Sequence, residues 1–187
     1  GLTGKTIVAV VFGGGILAEA MPPRGATVTG PDLSEKPIGV ARLHRLESGV
    51  DVDYRLVAAE SLAAQAPRSF DVVTCMELLE HVSSPASTIG ACALLAKPGG
   101  VVVFSTLNRN PKSYLFAIVG AEYLLNLLPR GTHDWTRFIK PSELAQDARR
   151  AGLELARLTG MQYNPLTQRY WLNSDTSVNY LFAAQKN

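Results

Sequence analysis

The fold is decided by the stretch from Lys5 to Asp32, which reads KTIVAVVFGGGILAEAMPPRGATVTGPD. It predicts a strand over Ile7 to Phe12, a turn at Gly13 to Gly15, a helical run, and a second strand over Ala26 to Gly30. This order places backbone amides at the start of a helix and a carboxylate, Asp32, about 20 residues later. The stretch therefore predicts a site for a ligand that carries an adenosine, whose ribose hydroxyls would donate to the acid.

Three residues of the first strand depart from the usual form of such a site. Ala9 stands where an acid is expected, and Val11 and Phe12 occupy positions where small side chains are expected. A missing carboxylate removes a charge-assisted hydrogen bond worth about 1.5–3 kcal/mol. The glycines alone would also suit a tight strand–helix turn that needs glycine only for packing. Two interpretations follow: an enzyme that binds this ligand, and a binding protein that keeps the fold with a weakened site.

The composition is that of a globular protein. The 187 residues are 47% hydrophobic and 18% charged, and the net charge of +2 is too small to indicate a nucleic-acid partner. Cys75 and Cys92 are isolated, which favours reduced core residues over a disulfide. No apolar run reaches the length of about 18 residues that a transmembrane helix requires. We expect a single domain over residues 1–187.

Apolar runs alternate with helical patterns along the rest of the chain. The runs are short, rich in valine and continuous rather than alternating, which indicates a parallel sheet buried between layers of helices. Further strands are predicted over Asp51 to Val57, Phe70 to Met76, Val101 to Thr106, Leu153 to Tyr163 and Val178 to Gln185. Helices are predicted over Ile16 to Pro22, Pro37 to Ser48, Ala59 to Gln65 and Pro85 to Ala96, and after Pro141. The run from Lys97 to Gly100 (KPGG) is a helix stop signal.

Two acids and a histidine directly follow the predicted strand Phe70 to Met76, within the run Glu77-Leu78-Leu79-Glu80-His81. If this run is helical, Glu77, Glu80 and His81 share one face, at the sheet edge where ligands of such folds bind. Two carboxylates and an imidazole could hold a hard divalent cation. Alternatively, His81 could act as a general base that a carboxylate orients. A solvated helix start is the third interpretation.

These motifs together resemble the class I S-adenosylmethionine-dependent methyltransferases, and within them the ubiquinone biosynthesis O-methyltransferases. The resemblance covers nearly the whole chain. The glycine turn and the KPGG run are generic, whereas Asn108-Arg109-Asn110 and Gly131-Thr132-His133 are narrower motifs that carry the subfamily assignment. The resemblance implies an α/β, Rossmann-like class I methyltransferase fold, with a mostly parallel seven-stranded sheet and helices on both faces.

The resemblance also implies roles for individual residues. Asp32 matches the acid that holds the cofactor ribose, Met76 matches the residue on the adenine side, and Gly13 belongs to the glycine turn at the cofactor. Three positions match the Glu-x-x-Glu-His triplet that is associated with a magnesium ion in members of the family: Glu77, Glu80 and His81. His81 is also the expected catalytic residue.

An apolar insertion from Tyr114 to Leu128 lies within residues 108–140. It is flanked by basic side chains: Arg109, Lys112, Arg130, Arg137 and Lys140. Apolar residues with basic flanks are typical of a helix that lies in a membrane interface, and a core helix or a substrate lid fits the pattern as well. His133 and Trp135 beyond the insertion could shape the substrate mouth or pack against the sheet. The family's N-terminal segment that covers the cofactor is expected to be absent.

The resemblance implies an S-adenosylmethionine-dependent O-methyltransferase acting on a catechol-type hydroxyl of a polyprenylated ubiquinone-biosynthesis intermediate. The expected partners are a polyprenyl quinol or phenol substrate, the membrane surface and other quinone-biosynthesis proteins. The expected location is cytoplasmic, peripheral at the inner face of the membrane. The alternative is a scaffold protein of the quinone-biosynthesis assembly with an impaired cofactor site, because Ala9, Val11 and Phe12 depart from the family pattern.

Overall fold

The computed structural model describes residues 1–10, 16–33, 35–115, 134–164, 167 and 169–187. Strands and helices alternate along the first half of the chain, as the apolar runs predict. The strands are β1 (Thr6–Val10), β2 (Thr27–Asp32), β3 (Val52–Leu56), β4 (Phe70–Met76), β5 (Ala96–Leu107), β6 (Leu153–Asn164), β7 (Arg169–Asn173) and β8 (Asn179–Lys186). The helices are α1 (Ile16–Glu19), α2 (Glu35–Ser48), α3 (Ala59–Gln65), α4 (Pro85–Leu95), α5 (Pro111–Ser113) and α6 (Pro141–Arg150), with 3-10 turns at Pro22–Arg24 and Trp135–Arg137.

The described strands form one sheet in the order β3-β2-β1-β4-β5-β8-β6-β7. The first five are parallel to one another, β8 is antiparallel to β5 and β6, and β7 is antiparallel to β6. The mostly parallel α/β architecture is confirmed. The number of seven strands was wrong, because β7 adds an eighth strand at the edge of the sheet. Its side chains are largely exposed, so no buried apolar run marks it in the sequence.

Helices cover both faces of the sheet, as predicted. On one face, α3, α4 and α6 pack on residues of β1, β4, β5 and β8, and this core contains both Cys75 and Cys92. Both cysteines are free and buried. On the other face, α1 and α2 pack on β1, β2 and β3. Ala9 is fully buried on this second face, while its neighbour Val10 is packed in the first core.

The KPGG run ends α4, as predicted, and also opens β5 with an irregular turn. Phe70 pairs with Ala96 and Val72 pairs with Val101, so the run bulges out of the ladder between β4 and β5. Gly99 has a φ angle of +74°, a left-handed conformation that favours glycine. The bulge aligns the remainder of β5 with β4 up to the pair Met76–Ser105. This register brings the hydroxyls of β5 to the end of β4.

The predicted apolar insertion, Tyr114 to Leu128, falls mostly outside the described residues, as do Gly13 and His133. Of the insertion, Tyr114 and Leu115 are described, and both are exposed. Within the described ranges, no helix is long and apolar enough to cross a bilayer.

Candidate active site

A cavity of about 460 Å³ lies at the carboxyl ends of the parallel strands. We call it the strand-end cavity. Its wall is formed by the ends of β1, β2 and β3, by the chain that follows β4, and by the starts of α3 and α4. The lining residues are Val10, Pro31, Asp32, Leu33, Val57, Ala58, Ala59, Glu60, Leu78, His81, Val82, Ser83, Ser84, Ser87 and Thr88. Ligands of open α/β sheets bind at this edge, and the volume is in the range of small-molecule sites.

Asp32 lies where the sequence predicts it, at the end of β2 and in the wall of the cavity. The residue is 7% exposed. Its backbone is fixed by the ladder with β3, in which Asp32 pairs with Leu56, and its carbonyl accepts from the Val57 amide at 3.0 Å. A buried carboxylate in a cavity wall requires hydrogen-bond donors. The hydroxyls of a bound ribose are donors of this kind.

The run from Glu77 to His81 is not helical, so the condition for a shared helix face is not met. It is a turn, in which the His81 amide donates to the Leu78 carbonyl at 2.9 Å. Glu77 begins the turn with a φ angle of +50°. No helix forms here because tertiary hydrogen bonds hold Glu77. Its carboxylate Oε1 accepts from the Ser105 hydroxyl at 2.7 Å and from the side-chain amide of Asn179 at 3.2 Å.

Glu80 points into the protein, away from the cavity. It is 3% exposed, and its Oε2 accepts from the Thr106 hydroxyl at 2.8 Å. Burial and the neighbouring Glu77 charge raise the pKa of Glu80 to about 7. The pKa of the Tyr180 hydroxyl is raised for a related reason, by burial and then by the charges of Glu80 and Glu143. Glu80 therefore belongs to the packed interior around β5 and β8.

His81 lies in the cavity wall and is half-buried. The structure thus separates His81 from the two neighbouring carboxylates: His81 lines the cavity, while Glu77 and Glu80 accept hydrogen bonds from side chains of β5 and β8. Within the part of the chain that the structure describes, no three His, Cys, Asp or Glu side chains are grouped so that they could hold a metal ion. As placed, the triplet does not fit a magnesium ion. The magnesium assignment stays a prediction.

Met76 is half-buried at the end of β4 and is not a lining residue of the cavity. Leu78, two residues further on, is one. Gly13 lies outside the described residues, so its role, like that of Met76, stays a prediction.

The sequence analysis missed the contribution of β3 and α3. Val57 and Ala58 follow β3 and give the cavity an apolar wall, and Glu60 accepts from the Thr88 hydroxyl at 3.0 Å, linking α3 to α4. One signal was present in the sequence. Val57 ends a predicted parallel strand and Ala58 directly follows it, and such strand ends meet at one edge of the sheet.

Comparison with known proteins first defines the class. A model of a methyltransferase domain matches residues 6–158. Among solved structures, a magnesium protoporphyrin IX methyltransferase from Synechocystis PCC 6803 with bound SAH superposes with a TM-score of 0.70 at 19% identity, covering 100% of this chain and 75% of its own. A methyltransferase from Methanosarcina mazei gives a TM-score of 0.71 at 20% identity, covering 97% and 92%. The chain is a methyltransferase by fold and by family model.

Curated relatives then define the family. The ubiquinone biosynthesis O-methyltransferase of Azoarcus sp. (strain BH72) is 64% identical over 186 residues, which cover 100% of this chain and 80% of that protein. The same-named protein of Thiobacillus denitrificans is 66% identical over 185 residues, covering 99% and 80%. The chain belongs to the family of ubiquinone biosynthesis O-methyltransferases. The prediction of an S-adenosylmethionine-dependent O-methyltransferase is confirmed.

Proposed function

We propose that the chain transfers a methyl group from S-adenosylmethionine to a catechol-type hydroxyl of a polyprenylated intermediate of ubiquinone biosynthesis. The observation that carries the proposal is the strand-end cavity, in which a buried carboxylate, Asp32, and an imidazole, His81, line one space. The family membership supports the pathway, and the narrower choice of a catechol-type hydroxyl rests on the resemblance of the sequence.

The cavity residues fit the cofactor. Asp32 would accept hydrogen bonds from the ribose hydroxyls, and Val57, Ala58 and Leu78 offer apolar contacts to the adenine. When bound, S-adenosylmethionine would supply an electrophilic methyl group on a sulfonium centre. After transfer of the methyl group, the sulfur remains as a neutral thioether. Ala9, which replaces an acid, faces the packed core, so this chain binds the cofactor without a carboxylate from that position.

His81 is proposed to take the proton of the substrate hydroxyl on a ring nitrogen, which increases the negative charge on the oxygen as the methyl group arrives. The other lining residues hold the two reactants in near-attack geometry and exclude water. The two polar side chains thereby have separate roles, since Asp32 binds and orients the cofactor and His81 accepts the proton.

The experiment that tests this proposal replaces the histidine and separates binding from chemistry. H81A is expected to lower kcat by about 100-fold or more, because positioned proton transfer contributes a factor of this order. The Kd for S-adenosylmethionine, measured by calorimetry, is expected to stay close to that of the parent protein. Mass spectrometry of a polyprenyl catechol substrate should show the gain of one methyl group. Unchanged kcat in H81A would contradict the role given to His81.

The insertion is proposed to lie against the membrane surface, where polyprenylated substrates reside. Supporting residues among those described are the exposed apolar Tyr114 and Leu115 beside the exposed basic Lys112. Co-sedimentation with anionic lipid vesicles should exceed that with neutral vesicles, because the basic flank is attracted to the charged surface. L115E should weaken binding to both kinds of vesicle. Equal binding of L115E and the parent would contradict the proposal for this segment.

A further inference from the structure

Glu77 adopts a backbone conformation that residues with a Cβ atom rarely adopt. Its φ angle of +50° lies in the left-handed region, which is unfavourable for every residue except glycine. Such a conformation persists where surrounding contacts impose it, and it concentrates at sites where the local geometry matters. The position of Glu77 meets this description, because the next residues line the strand-end cavity.

The contacts that impose the conformation come from two neighbouring strands. The Glu77 amide donates to the backbone carbonyl of Ser105 at 3.1 Å and to its hydroxyl oxygen at 3.0 Å. The same hydroxyl donates to Glu77 Oε1 at 2.7 Å, and the Asn179 side-chain amide donates to that oxygen at 3.2 Å. Ser105 in β5 is fully buried, and Asn179 begins β8. We call these three residues the Glu77 clamp.

The clamp fixes where the chain goes after β4. The Glu77 side chain is bonded to β5 and β8, the chain continues in a turn, and Leu78 and His81 of this turn lie in the cavity wall. Glu80 adds a second inward attachment through Thr106. Two bonds to the protein interior thus alternate with two side chains that face the cavity.

We propose that Ser105 and Asn179 are positioning residues that act through Glu77 to place Leu78 and His81 in the wall of the strand-end cavity. In this arrangement the Glu77 carboxylate is an internal anchor rather than a metal ligand. The inference rests on the proposed function insofar as the turn after Glu77 contacts the cofactor. The separation of His81 from the two carboxylates supports it, because no metal-binding group of three such side chains is present among the described residues.

A pair of variants at Glu77 separates an anchor from a metal ligand. E77Q keeps the Oε1 acceptor for both donors and removes the charge, whereas E77L removes the acceptor at similar size. We expect the Kd for S-adenosylmethionine to stay within about threefold of the parent in E77Q and to rise by about tenfold or more in E77L, as the loss of a hydrogen bond to a charged group implies. Methyl transfer by E77Q should show the same response to added magnesium chloride as the parent.

S105A and N179A test the two donors, since neither Ser105 nor Asn179 belongs to the predicted metal-binding triplet of Glu77, Glu80 and His81. Both variants should raise the Kd for S-adenosylmethionine, as E77L does. This effect should be larger than the effect on kcat at saturating cofactor. S69A is the matched control, because the Ser69 hydroxyl is likewise a hydrogen-bond donor but donates to the backbone carbonyl of Pro67 and lies exposed before β4. If E77L does not fold, as judged by its thermal melting curve, S105A and N179A carry the test.

Hydrogen exchange of the amides of residues 78–84 gives a readout that does not depend on activity. Exchange should be faster in E77L and S105A than in the parent, and parent-like in E77Q. If the parent does not bind S-adenosylmethionine, the proposed function fails, while this exchange pattern still supports the clamp. The clamp would be overturned if E77Q lost activity and cofactor binding as severely as E77L. It would also be overturned if hydrogen exchange were equal in all variants.

Discussion

Acidic residues lie at or just beyond the ends of two parallel strands of the same sheet, yet their side chains have different surroundings. Asp32 ends β2 and lines the strand-end cavity, whereas Glu77 and Glu80 follow β4 and turn inward. The difference lies in the neighbouring strand. β3 ends level with Asp32, and the two residues directly beyond it, Val57 and Ala58, are apolar and line the cavity together with Asp32.

β5 behaves differently from β3, because it continues two residues past its pairing with the end of β4. Ser105 at this last pair and Thr106 beyond it present buried hydroxyls, which donate to the two glutamates. The hydroxyls that β5 presents thus hold the two glutamates toward the interior.

The largest effect is expected at Asp32. D32A should raise the Kd for S-adenosylmethionine by roughly 100-fold, because hydrogen bonds from hydroxyls to a carboxylate are worth about 1.5–3 kcal/mol. The matched control is D53N, since Asp53 lies exposed in β3 and pairs with Arg55 on the surface. Calorimetry on all three proteins checks this. A D32A protein that binds as tightly as the D53N control would remove Asp32 from the binding site.

A pH effect on stability is expected at Glu80. Its pKa in the folded protein is about 7 against 4.5 for a free side chain. The folded state therefore binds the proton more tightly, so the contribution to stability is full below about pH 4.5 and is lost as the pH rises through about 7. E80Q should remove this loss and be more stable than the parent at pH 8, by about 2 kcal/mol, with little difference at pH 5.

Urea unfolding at both pH values measures the Glu80 effect. If the parent and E80Q lose stability in parallel between pH 5 and pH 8, the carboxylate is not held in the buried environment described here. Glu80 would then not serve as an acid held in the interior, in contrast to Asp32 in the cavity wall.

A smaller loss is expected when the donor to Glu80 is removed. T106V replaces the hydroxyl by a methyl group of similar size and leaves Glu80 Oε2 without its bond from Thr106. The free energy of unfolding should fall by about 1–2 kcal/mol, the usual cost of a buried polar group that loses its partner. Cofactor affinity should change far less than in D32A. A T106V protein as stable as the parent in urea would show that this bond contributes nothing.

The smallest effect is expected at the opposite, amino-terminal edge of the sheet. Asp71 accepts from the amide and hydroxyl of Thr6, both at 2.8 Å, and from Lys97 at 3.0 Å. These bonds hold the pKa of Asp71 well below its usual range, and the bond from the Thr6 amide makes the largest contribution to this lowering. Its contribution is present above about pH 4 and is lost as the pH falls.

D71N should therefore lower the melting temperature at pH 7 by less than T106V does, and the difference from the parent should shrink in acid. Differential scanning calorimetry at pH 7 and pH 3 measures both quantities. A difference that grows in acid would contradict the assigned direction of the pKa.

The sequence predicted elements well where local pattern and burial agree. α3 and β4 were predicted with the observed bounds, Ala59–Gln65 and Phe70–Met76. β7 was missed because four of its five residues are exposed and its pairing with β6 comes from a hairpin rather than from apolar periodicity.

The candidate site was predicted in part. Asp32 and His81 both lie in the cavity wall, because their positions follow from where parallel strands end. The condition that would place Glu77, Glu80 and His81 on one helix face is not met, because Ser105 and Asn179, which are 28 and 102 residues away along the chain, hold Glu77 in a turn. Local sequence carries no signal for such bonds. Val57 and Ala58 could have been found from strand ends alone.

We expect the strand-end cavity to bind S-adenosylmethionine although Ala9, Val11 and Phe12 depart from the sequence pattern of the family. Isothermal titration of the parent protein with S-adenosylmethionine tests it most directly. We expect saturable one-to-one binding with a micromolar Kd. No detectable heat, with the protein folded by circular dichroism at several temperatures, would contradict it and would favour a binding or scaffold protein that keeps only the fold.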